Sequence, residues 1–410
     1  MRLLGTVVTL VVLVVVVSGC LGGSLLATGT PSSSQTFTEG VNDFGLRLVK
    51  ALWEQEGGNV FLSPTSIALC LSMVAHGARG ETQREMYEAL GLAALAPEEV
   101  KRQSARLVET LNTASSDVTL YTANALWARE GIPFYQTYLE DLKTYYRAEA
   151  ETIDFTDPAT IPRINQWVRE KTRGTIPTIL DRLPENAILV LLNATYFKGK
   201  WETAFDPAHT QDLPFFPENG TPKDLPTMWQ EGSFLYLETE DFQAVKLPYA
   251  DDRFSMYLFL PRKQDGLGAF LGKLSESALK DWIAAMEKRQ GEISLPRFRV
   301  TFERVLNDIL IALGMENVFN PSRADLSGML PVSPSANAYL SEVKHKSFLE
   351  VNEEGTEASA VTSGIIAITA VPLPGERFIM RVDHPFFLVT RDERDGSVLF
   401  AGAIENPESQ

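Results

Sequence analysis

The chain is short of the residues that carry most enzyme chemistry: among 410 residues there are two cysteines and four histidines. His76, His209, His345 and His384 are scattered, and none belongs to a His-Glu-x-x-His zinc motif, so no metal site is expected. A Gly-x-Ser-x-Gly nucleophile elbow and a phosphate-binding loop are also missing, and no cofactor is implied. A Ser-His-Asp triad stays open, because its members meet only in the folded chain. Positive charge is scarce as well, with 37 basic against 53 acidic residues and a net charge of −16. That balance argues against nucleic acid as a partner and favours solubility. The 23 prolines avoid one long stretch entirely, Glu353 to Val371.

That stretch keeps every backbone donor, so nothing in it prevents entry into the middle of a sheet. Thr356, Ala358, Ala360 and Thr362 are small and two apart, and in an extended chain they share one face that could be buried without bulk. Gly355 and Gly364 make it pliable. Before it, His345 to Val351 alternates like a half-buried strand; after it, Phe386–Val389 and Val398–Phe400 have the pattern of buried strands. The segment therefore has two possible homes, an exposed loop and an additional strand. In the intact chain exposure is expected, so that Thr356→Arg leaves intact stability nearly unchanged.

The N-terminus stands apart from the fold. Met1-Arg-Leu-Leu is followed by a Val/Leu run to Val17, about 15 residues long, too short to span a bilayer and suited to a signal-peptide core. Val17-Ser-Gly-Cys20 resembles the lipobox of prokaryotic lipoproteins, which implies a lipidated Cys20 as the new N-terminus and attachment to a membrane. A plain secretory signal or an uncleaved anchor is the alternative. The expected division is a signal peptide over 1–19, a Gly/Ser/Thr-rich flexible tether over 20–37, and one domain over 38–407. With Cys20 modified, Cys70 has no disulfide partner and lies in the buried-helix pattern Ile67–Val74.

Within the domain, Val41, Phe44, Leu48 and Leu52 predict a first helix that Gly57-Gly58 ends. Ser63-Pro64 marks an N-cap and first turn. Helices are further predicted over Thr82–Ala89, Pro97–Leu111, Pro133–Tyr145, Pro158–Arg173, Asp281–Met286 and Leu306–Leu313. Strands are predicted at Val118–Trp127, Ala187–Phe197, Phe234–Leu237, Ala244–Leu247, Phe254–Leu260 and Ile293–Val300. Without a repeating strand-helix unit, the class is α+β.

Five motifs carry a resemblance. Val351-Asn-Glu-Glu-Gly-Thr-Glu-Ala-Ser-Ala360 resembles the hinge of the serpins, inhibitors whose reactive-centre loop enters a central sheet after cleavage. Asn59–Ile67, Asn193–Trp201, Asp383–Phe387 and Leu399–Gly402 resemble serpin signatures in serpin order, and the likeness runs from about Thr38 to the C-terminus.

The resemblance implies about three β-sheets, eight to nine helices and an exposed reactive-centre loop at about 353–374. It implies a hinge of Glu353, Gly355, Thr356, Glu357, Ala358, Ser359 and Ala360. It also implies a polar cluster of Ser63, Ser66, Asn193 and His345 where two strands part, with Trp201 at the head of the sheet; the plain alternative for His345 is a core histidine. The implied activity is suicide-substrate inhibition, not catalysis, through a covalent complex with a serine protease; the molecule acts as a monomer. Counting forward from the hinge puts the cleaved bond at Thr369–Ala370, and counting back from Pro385 puts it at Val371–Pro372; a proline after the bond blocks most serine proteases, which favours the first. Ile366, Ala367, Ile368 and small Thr369 suit an elastase-like or subtilisin-like target. A non-inhibitory carrier with the same fold is the main rival reading.

Overall fold

In a computed structural model of the protein, residues 36–408 are described except 115–116, 175, 184–186, 332–337 and 357–376. Residues 1–35, with the signal peptide, Cys20 and most of the tether, and Glu357, Ala358, Ser359, Ala360, Thr369 and Ala370 of the loop lie outside the described residues. The described part belongs to one compact unit, Gln35–Gln410.

Helix α1 (Phe37–Glu56) opens with a reciprocal cap: Glu39 donates its backbone N–H to Thr36 Oγ1, and Thr36 donates its own to the Glu39 carboxylate. Val41, Phe44, Leu48 and Leu52 are all buried, as their spacing predicts. Gly57, at φ 67, ends the helix where a side chain would be strained. Helix α2 (Pro64–Gly77) is buried almost all round and carries Cys70 in the core. Its Pro64 start is as expected, but Ser63 does not cap it with its side chain.

Helices α3 (Gly80–Ala89), α4 (Pro97–Leu111), α5 (Gln136–Tyr146) and α6 (Thr160–Lys171) follow. Then come α7 (Leu267–Lys273), which is absent from the helices predicted above, α8 (Glu276–Ala284) and α9 (Asn307–Ala312). Helix α8 begins earlier than predicted because Ser275 caps it, accepting from Ala278 N at 3.1 Å.

The strands form two hydrogen-bonded sheets among the described residues. One of nine strands contains β1 (Val60–Leu62), β6 (Gln211–Phe215), β7 (Lys223–Glu238), β8 (Phe242–Pro248), β9 (Phe254–Pro261), β10 (Glu287–Pro296), β14 (Phe378–Arg381), β15 (Phe386–Asp392) and β16 (Val398–Ile404). The expected division into about three sheets is bridged here by β7. Its 16 residues pair with β6 and β10 along most of their length and with β8 at the end.

The other sheet has seven strands. They are β2 (Thr113–Ala114), β3 (Val118–Arg129), β4 (Glu149–Ile153), β5 (Leu189–Lys200), β11 (Phe298–Val305), β12 (Val343–Val351) and β13 (Gly355–Thr356). The predicted single strand Ile293–Val300 is two strands in different sheets. Pro296 closes β10, having no ladder donor, and Arg297 N donates instead to Pro226 O before β11 begins.

The core lies between the sheets. β9 is buried at all eight positions and β16 at all seven, and each large side chain so removed from water adds about 1.5–3 kcal/mol. A second, smaller core lies under α6, where Ile164 and Val168 pack on Ala125, Trp127, Val190 and Leu192 of β3 and β5. The amphipathic face of α6 thus covers the outer face of the seven-stranded sheet.

Candidate functional site: the head of the seven-stranded sheet

Strands β12 and β5 run parallel and pair at only four positions, Val343–Lys346 against Leu191–Ala194. Above Lys346 no pairing joins them. Each keeps its other neighbour, β11 beside β12 as far as Val351 and β3 beside β5 as far as Gly199. The two strands therefore diverge into a wedge whose inner edges are open.

The short strand β13 fills the head of that wedge: Thr356 pairs with Val351 on one side and Gly199 on the other, and Gly355 with Lys200. The hinge is thus seated in the sheet as far as Thr356, contrary to the expectation that it is exposed from its start. Only 2% of Thr356 reaches solvent, and its hydroxyl meets the Tyr249 hydroxyl at 2.8 Å. Gly355 has φ 155 and passes so close to β5 that a Cβ would lie 1.9 Å from Gly199 O, which excludes any larger residue.

Trp201 anchors the approach to this strand. Its indole Nε1 donates to Asn352 O at 3.0 Å, its backbone N to Glu354 O at 2.9 Å, and its ring stacks on Tyr249 with centroids 4.7 Å apart. Phe205 N donates to Glu353 O at 2.9 Å. Glu353 is buried, yet its carboxylate accepts from Thr210 Oγ1 at 2.7 Å and faces Arg297 at 3.4 Å, so its charge is matched. Trp201 and Glu353 thus meet at the head of the wedge. Tyr249, Thr210 and Arg297 were not legible in the sequence, because they come from other elements; a lone Tyr in a Pro-Tyr turn carries no signal of its own.

At the foot of the wedge the polar cluster is only partly joined. Asn193 donates to Ser66 Oγ and to Asn124 Oδ1 (2.8 Å), and Ser66 meets Thr195 Oγ1 at 2.5 Å. Cys70 adds a weak S–H contact to Asn124 Oδ1 at 3.3 Å, and burial pushes its thiol pKa far up, which leaves it unreactive.

Ser63 and His345 are both buried, His345 opposite Asn193 in the strand register, but neither side chain has a hydrogen-bond partner among the described residues. The side-chain oxygen of Asn193 is also without one. Burial holds the His345 ring neutral by lowering its pKa to about 3. Unpaired polar atoms at the foot of a half-open wedge raise the energy of this arrangement relative to one that satisfies them.

His76 and His384 lie elsewhere, bonded to Asp141 (2.8 Å) and to Asp383 and Pro261 O (2.7 Å each). Among the described residues no group of side chains could hold a metal ion, and no helix is long and apolar enough to cross a membrane.

A family model described as "Serpin (serine protease inhibitor)" matches residues 39–407. Chicken (Gallus gallus) neuroserpin is 36% identical over 366 residues, 87% of this chain and 88% of that protein. A serpin-like protein of Thermococcus kodakarensis is 34% identical and covers 98% of this chain and 99% of its own. Among solved structures, the native state of the thermophilic serpin tengpin superposes with a TM-score of 0.83 at 29% identity, covering 92% of this chain and 96% of its own. Thyroxine-binding globulin in complex with thyroxine gives 0.81 at 26%, covering 91% and 99%. The match over nearly the whole domain, with the seated hinge and the parted strands, makes this chain a member of the serpin family.

Proposed function

We propose that this serpin is an irreversible, suicide-substrate inhibitor of extracellular serine endopeptidases of the elastase-like or subtilisin-like kind. Cleavage falls at Thr369–Ala370. The freed segment then follows Thr356 down the wedge as a further strand, carrying the acyl-linked protease before hydrolysis is complete. The observation that carries this reading is the wedge itself: β12 and β5 are parted above four paired positions, and Gly355–Thr356 already stand in the register that an inserting chain would extend.

Small residues at Ala358, Ala360 and Thr362 suit the buried face of such a strand. About ten new ladder hydrogen bonds at roughly 0.5–1.5 kcal/mol net each supply on the order of 10 kcal/mol. That is comparable with a domain's whole stability, so the intact form is held by a barrier. Lipidation of Cys20 keeps the monomer on the outer face of a membrane, with 20–37 as tether.

The rival is a carrier without inhibition, a reading favoured by the likeness to thyroxine-binding globulin in complex with thyroxine. Incubation with pancreatic elastase and with subtilisin separates the two. A complex that survives SDS, with the chain cut after Thr369, is expected; quantitative cutting without any complex refutes inhibition and leaves the carrier.

A further inference from the structure

The turn between β6 and β7 carries Asn219-Gly220, the only Asn-Gly pair in the 410 residues. Residues 218–222 are exposed, and the Gly220 N–H makes no hydrogen bond among the described residues. Gly220 has no side chain to screen its backbone nitrogen from the Asn219 carboxamide, and water reaches the whole turn.

The same carboxamide serves a buried acid. Asn219 Nδ2 donates to Glu405 Oε1 at 3.2 Å, and Gly58 N donates to Glu405 Oε2 at 2.7 Å. Glu405 is buried, yet neither it nor the nearby Glu218 and Asp265 has an ion pair among the described residues. Partial burial, and then the charges of Glu405 and Asp265, hold the Glu218 carboxyl above its ordinary pKa. A further carboxylate here would meet no cation.

Glu405 also begins the segment that closes the chain. Glu405 N and Asn406 N both donate to Asn59 Oδ1, at 2.9 and 2.8 Å, and Lys223 Nζ donates to Pro407 O. Glu408 exchanges two backbone hydrogen bonds with Arg299 of β11, at 3.1 and 3.3 Å. Residues 405–408 therefore clamp together the lead into β1, the first residue of β7 and the edge of the seven-stranded sheet.

We propose that Asn219 is a self-modification site: its carboxamide deamidates without an enzyme, and the carboxylate so formed, facing Glu405, loosens this clamp irreversibly. In the step, Gly220 N attacks Asn219 Cγ and the new C–N bond closes a succinimide. The Cγ–Nδ2 bond breaks, and Nδ2 leaves as ammonia with the proton that Gly220 N gives up. Water then adds to either imide carbonyl and opens the ring to aspartate or isoaspartate, so no oxidant or reductant is consumed. Both products replace the donor on Glu405 by a second negative charge, and like charges with no cation between them separate. The proposal stands on this turn and is independent of the inhibitor reading.

The test holds the full chain in detergent at pH 8.5 and 37 °C and maps its peptides by mass spectrometry, with isoaspartyl methyltransferase marking isoaspartate. Deamidation should accumulate at Asn219 ahead of every other asparagine. It should be lost in Asn219→Gln, which keeps an amide donor but closes an imide ring far less readily, and in Gly220→Ala, whose methyl crowds the attacking nitrogen. An unchanged Asn219 while other asparagines convert, or equal conversion in Gly220→Ala, overturns the site.

For the clamp, amide hydrogen exchange compares Asn219→Asp, which copies one product, with the wild type. The Gly58 and Glu405 amides should exchange about tenfold faster or more, the scale of one lost hydrogen bond to a charged group. Adding Glu405→Gln, which removes one of the two facing charges, should restore most of the protection. Unchanged exchange at Gly58 in Asn219→Asp overturns the loosening, and failure of Glu405→Gln to restore protection overturns repulsion as its cause.

Discussion

The hydroxyls of Thr356 and Tyr249 lie 2.8 Å apart in a pocket closed to water, with Tyr249 stacked on Trp201. The hinge is therefore latched by a side-chain contact as well as by its strand pairing. Because both hydroxyls are buried, loss of either removes a hydrogen bond that water does not replace, although the Tyr249 hydroxyl also meets Thr390.

Thr356→Val should lower the stability of the intact chain by about 1 kcal/mol, the net worth of the buried hydrogen bond it removes. Thr356→Arg should do more: a guanidinium cannot remain beside Trp201 and Tyr249 without a counter-charge, so the hinge must leave the sheet. The expected result is a lower thermal midpoint together with cleavage that yields no SDS-stable complex. An intact midpoint equal to that of the wild type would mean that the latch does not hold in solution.

His345 sets a dependence on pH. Its folded pKa, about 3, lies below the ordinary histidine value, so below pH 6.5 the unfolded chain takes up a proton that the folded one refuses. Stability due to this group is complete above about 6.5 and falls as pH drops toward 3, by about 2 kcal/mol at pH 5. His345→Gln should flatten the thermal midpoint between pH 7 and 5 relative to the wild type; parallel curves would show that His345 does not titrate in this way.

Cleavage itself should stabilise. If the loop becomes a strand, the chain nicked after Thr369 should unfold roughly 10 °C or more above the intact one, following a gain on the order of 10 kcal/mol in a domain of this size. The same midpoint before and after nicking would remove the basis of the proposed inhibition.

If Cys20 carries the proposed lipid, Cys20→Ser should transfer the protein from the membrane fraction to the soluble fraction and leave the proposed inhibition of soluble proteases unchanged. Retention in membranes would point to an uncleaved N-terminal anchor instead of lipid.

Much of the fold is legible locally. The spacing of Val41, Phe44, Leu48 and Leu52, the alternation from His345 to Val351 and the apolar run into Phe197 each state an element and its buried face, because periodicity records which side meets the core. The miss at Ile293–Val300 has a physical cause: a strand may end and another begin within two residues when they join different sheets, and the apolar pattern continues across the break. Helix α7, only seven residues long with two internal glycines, is too short for a period to stand out.

What the sequence by itself determined is the capacity of the Glu353–Val371 stretch: small side chains two apart, no proline, and a glycine at 355 where the backbone passes close to β5. What only the tertiary structure decided is where that capacity stands at rest. The seating of Gly355–Thr356 depends on Tyr249, Trp201, Gly199 and Val351, which come from separate elements, and on β12 and β5 losing contact above Lys346. Such an arrangement follows from packing among distant segments, and no local pattern of residues encodes the distance between two strands.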